Sequence, residues 1–217
     1  MVNASQRKTV LVTGGTTRLG AAIVERLRAD GWRVVTSSHR ADAGADLVAD
    51  LSDPAGPARL YADCLGLLDG NPPEALVNNA ALFRGPDETL RRLAFEAPKK
   101  LTMMMAGRET GRGAVVNILD TRVLGAADGE SDDAYARAKR DLLAFTRSAA
   151  ALYAETLTVN GVAPGPVLAP TQVHEAAGEL LTERPTPADV AAAVAFLLAV
   201  PSVTGAVVPV DGGQHLL

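Results

Sequence analysis

Short runs of aliphatic and β-branched residues recur along the chain, separated by longer stretches with helical spacing. Thr9 to Val12, Arg33 to Thr36, Asp46 to Val48, Ala75 to Val77, Ala114 to Leu119, Thr158 to Ala163 and Ala206 to Val210 read as seven strands. Most are near-continuously apolar rather than alternating, which marks strands covered on both faces. Between them, Leu19 to Asp30 places Ala22, Ile23 and Leu27 on one side, and Tyr135 to Tyr153 repeats Leu142, Phe145 and Ala149 at helical spacing. Gly31 ends the first helix, Pro54 opens another, Ser131-Asp132-Asp133 supplies a cap and first-turn acids, and Pro187 occupies a position where a first turn tolerates proline. Strands alternating with helices predict an α/β fold, a doubly wound, seven-stranded parallel sheet forming a single domain over residues 1 to 217.

Composition narrows the function classes. Apolar residues make up 47% of the 217 and aromatics only 4%, which suits short strands under Ala-rich helices. A net charge of −4 provides no broad positive field for nucleic acid or an anionic membrane, so any anion site is local. The single cysteine, Cys64, rules out an internal disulfide and a Cys-rich metal site, and no metal is expected. Cys64 and Trp32 are expected to pack, and His174 and His215, which lack metal-ligand spacing, to lie on the surface. Met1 to Val10 lacks a signal-peptide core, and the apolar run Val190 to Val200 is too short to span a bilayer. A cytoplasmic location is therefore the expectation, and Asn3-Ala4-Ser5 reads as a chance match to a glycosylation pattern.

Two stretches carry candidate chemistry. Thr9 to Gly20 is a strand, a Gly-containing turn and a helix start, with Gly14, Gly15 and Gly20 allowing the backbone to approach a phosphate at the helix N-terminus. A structural βα turn is the alternative. The second strand ends in Ser37, Ser38, His39 and Arg40, with no acid to hold a ribose 2′-hydroxyl. Arg40 and Arg18 could instead meet a 2′-phosphate and favour NADPH by tens-fold or more, as an order-of-magnitude estimate for charge-assisted hydrogen bonds. Two solvated arginines are the bland reading.

The other stretch ends in an unexpected residue. Val115-Val116-Asn117-Ile118-Leu119 reads as a buried strand, yet it stops on Asp120, a carboxylate that is costly to desolvate without a partner or a task. Tyr135 and Lys139 lie four apart and project from one helix face, where an ammonium can favour the phenolate. Such a pair alone is weak evidence. In a parallel sheet, however, the strand ends share one rim, which gathers Gly14, Asn79, Ala80 and Asp120 beside the helix that begins at Tyr135.

Together these features resemble the short-chain dehydrogenase/reductase family over nearly the whole chain. They are TGG at 13–15, Asp50-Leu51, NNA at 78–80, VVN at 115–117, YxxxK at 135–139, VNGVAPG at 159–165 and TGAVVPVDGG at 204–213. The resemblance implies a Rossmann-like fold, a bound NADPH or NADP+, and a homodimer or homotetramer in which the Ala-rich helix from Tyr135 would suit the interface. Within the family the chain looks most like the pteridine reductases, through Thr13, Gly14, Arg18 and Gly20 in the turn, the His39-Arg40 pair, Phe83 after NNA, and Asp120 in place of a catalytic serine.

By that likeness Gly14, Arg18, Leu19, Ser37, His39, Arg40, Leu51, Ala80, Pro164 and Gly165 would line the cofactor. Asn79 would brace its ribose side and Asp50 its adenine. Asp120, Tyr135 and Lys139 would form the catalytic set, with Lys139 holding the ribose. Phe83 would stack a planar heterocycle such as a pterin against the nicotinamide, and Arg18 would face the pterin oxygen. Ala94 stands where the family carries an Asn, Ala81 where this subgroup carries a Ser, and the spacing from Asp120 to Tyr135 is longer than usual. The segments from NNA to Pro98 and from Pro166 to Arg184 look short, implying a more open pocket. Reduction of another carbonyl or imine, and a nucleotide-binding scaffold whose chemistry has decayed, remain the alternatives.

Overall fold

The computed structural model describes residues 8–109, 111–125, 133–167, 180–181 and 184–217. Seven parallel strands form one sheet in the order β3-β2-β1-β4-β5-β6-β7. They are β1 (Thr9–Thr13), β2 (Arg33–Ser38), β3 (Leu47–Val48), β4 (Ala75–Asn78), β5 (Gly113–Ile118), β6 (Leu157–Pro164) and β7 (Val207–Val210). All seven strands expected from the sequence are present. Their ends move by one or two residues because hydrogen-bond registry, not apolarity, terminates a strand.

The central strands divide their side chains between two cores, which explains their near-continuous hydrophobicity. Val10 and Val12 of β1 join α1 (Arg18–Ala29) and α6 (Pro187–Ala199) on one face, while Leu11 joins the opposite face. Ala75 and Val77 alternate with Leu76 in β4 in the same way. The opposite face is covered by α2 (Gly56–Leu67), α4 (Ala97–Ala106) and α5 (Ala134–Leu152), with Leu60, Leu101, Met105 and Ala149 fully or almost fully buried. Cys64 packs there, and Trp32 lies partly buried against the first core.

Helix boundaries follow their caps. Asp133 caps α5 by accepting from the Ala136 N–H at 2.7 Å, whereas Ser131 and Asp132 of the expected cap lie outside the described residues. Thr186 and Asp189 cap α6 reciprocally, with Pro187 in its first turn as expected. The second helix starts at Gly56 rather than Pro54 and carries Pro57 in its first turn. A short helix α3 (Asp87–Arg91) runs through a π-helical turn at Arg92–Glu96 into α4. Among the described residues, no helix is long and apolar enough to cross a membrane.

The first βα turn makes a very close backbone contact. Gly14 has φ +63°, and a Cβ on Gly20 would stand 2.0 Å from the Gly14 carbonyl oxygen. The start of α1 therefore touches the backbone at the end of β1. Gly20→Ala forces that backbone apart and is expected to lower unfolding free energy by about 1–3 kcal/mol, the usual range for overpacking. Chemical denaturation measures this, and an unchanged midpoint would show that the turn relaxes freely.

Candidate active site

Strand order reverses between β1 and β4, and the carboxyl ends of β1, β4, β5 and β6 form one rim. The Asn79 side chain fastens the first turn to that rim, donating to the Thr13 and Gly14 carbonyls at 3.0 Å each. The Asn79 and Ala80 N–H groups both donate to the Thr13 hydroxyl. Asn79 therefore holds the phosphate-type turn directly. A deeper network fixes α5 over the sheet: Asn78 donates to Asn117 at 2.8 Å and Asn117 to Thr146 of α5 at 2.9 Å.

Around the first turn the features suit an anionic nucleotide. Thr17, the N-cap of α1, makes no side-chain cap, leaving the first-turn N–H groups for a ligand. Arg18 is exposed with φ +52°, and Leu19 is partly buried beside it. Ser37 is buried, and the Ser38 hydroxyl accepts from the Arg40 N–H. His39 and Arg40 are exposed at the end of β2, where the Arg40 guanidinium pairs with Asp42 at 2.7 Å and is thereby raised in pKa. Asp42 was not singled out in the sequence reading.

Farther along the rim, the Asp50 carboxylate accepts from the Ser52 hydroxyl and N–H, which hold it below its ordinary pKa; the adjacent Leu51 is buried. Pro164 is buried at the end of β6, and the Gly165 N–H donates to the Val210 carbonyl.

The three residues expected to be catalytic come together. Asp120 follows β5 in extended conformation and caps a single 3-10 turn, Thr121–Val123. Tyr135 and Lys139 lie one turn apart in α5, each 3% exposed. The Lys139 ammonium donates to the Ile118 carbonyl at 2.5 Å. Burial pulls its pKa down to about 8, against the opposing pull of Asp120. Burial first, then the charge and hydrogen bond of Asp120, push the Tyr135 phenol far above its ordinary range.

Phe83 completes the mouth of the site, its ring 5.2 Å from that of Tyr135 and tilted by 44°. Phe83 is 59% exposed. A cavity of about 570 Å³ opens between Phe83, Arg84, Leu90, Arg122 and Asp133. Ala94, at the position where an Asn was looked for, is buried in the π-helical turn against Tyr135 and Ala138. Ala81 is half-buried against the same cluster. No metal-binding cluster of His, Cys, Asp and Glu occurs among the described residues.

Two further features have no local signature in the sequence. Arg122 pairs with Asp120 and lies over the Tyr135 ring. The buried Asp211 accepts from Thr121, from the Gly213 N–H at 3.0 Å and from His215, whose Nδ1 is 2.8 Å away. Burial alone would raise the Asp211 carboxyl, but these hydrogen bonds hold it below its ordinary value. His215, expected at the surface, is half-buried and pairs with Asp211, which also accepts from Thr121 in the turn after β5. His174 and most of the segment from Pro166 to Arg184 lie outside the described residues.

Similarity to known proteins matches this geometry. A family model described as "Enoyl-(Acyl carrier protein) reductase" matches residues 93–215. The 3-oxoacyl-[acyl-carrier-protein] reductase MabA of Mycobacterium bovis is 29% identical, with 96% of this chain and 93% of that protein covered. Protein FixR of Bradyrhizobium diazoefficiens is also 29% identical, over 99% of this chain and 89% of that protein. The crystal structure of FolM alternative dihydrofolate reductase 1 from Brucella canis, complexed with NADP, superposes with a TM-score of 0.83 at 30% identity, covering 97% of this chain and 95% of that one.

Lys139 makes the site sensitive to pH in a defined direction. Between its folded pKa of about 8 and its ordinary value of 10.5, the unfolded chain holds a proton that the folded chain has released. Stability from this group therefore rises with pH through that window. In urea melts, wild type is expected to gain stability relative to Lys139→Met between pH 8 and pH 10.5; a constant difference would show that the ammonium is not desolvated. The matched model and the superposed fold place this chain in the short-chain dehydrogenase/reductase family of oxidoreductases.

Proposed function

We propose that the protein is an NADPH-dependent reductase of a planar, nitrogen-containing ring of the dihydropterin type. The observation that carries this reading is the Asp120 carboxylate against the Tyr135 phenol, with the exposed Phe83 ring beside them. A carboxylate suits a heterocycle rich in N–H donors, since charge-assisted hydrogen bonds orient it firmly. An open aromatic face suits a flat ring. The likeness to a FolM alternative dihydrofolate reductase supports the same substrate class.

The first turn fits NADPH: an uncapped helix start, a left-handed Gly14, and two exposed arginines, Arg18 and Arg40, for the 2′-phosphate. When bound, the nicotinamide supplies the hydride that reduces a C=N bond at carbon. Tyr135 donates the balancing proton to nitrogen, Asp120 hydrogen-bonds the phenol and the ring's donors, and Lys139 anchors the helix that carries Tyr135. The assembly is a homodimer or homotetramer. A second reading, reduction of a carbonyl such as a 3-oxoacyl group, draws on the likeness to MabA and on the open cavity of about 570 Å³ beside Phe83.

Loss of NADPH absorbance with dihydrobiopterin, dihydrofolate, 3-oxoacyl thioesters and ketones separates the two readings, and turnover confined to the last two would overturn the pterin assignment. Tyr135→Phe is expected to reduce turnover by about a hundredfold or more while NADPH still binds; undiminished turnover would remove Tyr135 as donor. Arg40→Ala is expected to weaken NADPH about tenfold and NADH little, as read by cofactor fluorescence. Equal weakening of both would contradict the phosphate role.

A further inference from the structure

The proposed donor pair raises an electrostatic difficulty. Donating a proton leaves a phenolate at Tyr135, in a buried position and beside the Asp120 carboxylate, both of which oppose that charge. A cation must offset them. Lys139 is one such cation, its ammonium 5.6 Å from the Tyr135 ring centre while it donates to the Ile118 carbonyl at 2.5 Å.

Arg122 is differently placed. Its Nε donates to Asp120 Oδ1 at 3.1 Å, its Nη2 to Oδ2 at 3.2 Å, and its backbone N–H to Oδ1 at 3.0 Å. Its guanidinium carbon lies 5.2 Å from the centre of the Tyr135 ring, and its Nη1 is 3.8 Å from Asp133 at the start of α5. It also lines the cavity. Among the described residues, the charged groups beside Tyr135 are Asp120 after β5, Arg122 in the 3-10 turn, and Asp133 and Lys139 at the start of and within α5, while Arg84 and Asp87 line the same cavity. The residues of α3 and the π-helical turn packed against it, Leu90 and Ala94, are uncharged.

We propose that Arg122 is a positioning residue for proton donation: it grips the Asp120 carboxylate by three N–H groups, holds it against Tyr135, and adds a second positive charge beside the phenolate. Of the groups that act on Tyr135, Arg122 favours its ionised form, while burial, Asp120 and Asp133 all oppose it. A fork of planar donors can bind a carboxylate and cover an aromatic ring at once, which a lysine ammonium does less well. The inference rests on Tyr135 as the proton donor but not on which substrate is reduced.

The test uses the full chain with NADPH and whichever substrate of the panel above it turns over. Arg122→Gln is expected to lower kcat about tenfold or more with little change in KM for NADPH. Arg122→Lys is expected to restore part of the loss, and free guanidinium ion to rescue Arg122→Gly. Should Arg122→Gln leave kcat unmoved while Tyr135→Phe abolishes turnover, Arg122 is only a surface ion pair and the proposal falls alone. Should Tyr135→Phe retain turnover, the donor assignment falls and this proposal with it. Arg122→Gln losing NADPH binding and kcat together, with neither restored by Arg122→Lys or guanidinium, would overturn it in favour of a purely structural role.

Discussion

A buried ammonium bonded to a strand-end carbonyl fixes the geometry on which the rest of the site depends. Lys139 is removed from water almost completely, a costly arrangement that persists only with a firm acceptor. The Ile118 carbonyl at the end of β5 is that acceptor. This contact locks α5 along its own axis, so Tyr135, one helical turn earlier, projects over the end of the same strand that leads into Asp120. The Asn117–Thr146 hydrogen bond two turns farther along α5 keeps the helix from rotating. Two residues of one helix and two positions of one strand thus generate a phenol, an amine and a carboxylate at a common point.

The same rim joins this chemistry to the nucleotide turn. Asn79 belongs to β4's end yet fastens the turn after β1, while Asn78 beside it reaches α5 through Asn117 and Thr146, so the proposed phosphate cradle and the proposed proton donor share a rigid support. At the far edge, Arg40 pairs with Asp42 on the surface, an interaction that contributes little to folding but leaves the guanidinium next to where a 2′-phosphate would sit. Asp211 braces the turn carrying Asp120 and Arg122 from the other side, through Thr121. Each support is a hydrogen bond between elements rather than within one, which is why the rim holds its shape.

Much of this was legible in the sequence. The central strands are readable because they carry apolar side chains into two separate cores, as Val10, Leu11 and Val12 do in turn. Asp120 and the Tyr135–Lys139 pair stood out because a carboxylate closing an apolar run and a four-residue helical spacing both have local signatures. Arg122 had none. It sits two residues from Asp120 in a stretch resembling an ordinary loop, and only the 3-10 turn swings its guanidinium back over a ring thirteen positions later. Asp211 and Thr121 meet across 90 residues, a pairing that no local pattern reports. Pro54 misled by chemistry: Pro57, three residues on, holds the first-turn place in the second helix.

The central claim is that Asp120 and Tyr135 act as one proton-handling unit. A double-mutant cycle on kcat, using Asp120→Ala, Tyr135→Phe and the double variant, tests it most directly. If the two side chains form one unit, the double variant is barely slower than Tyr135→Phe alone. Independent losses that multiply in the double variant would show that the carboxylate and the phenol serve separate purposes, and the account of the site given by their contact would be wrong.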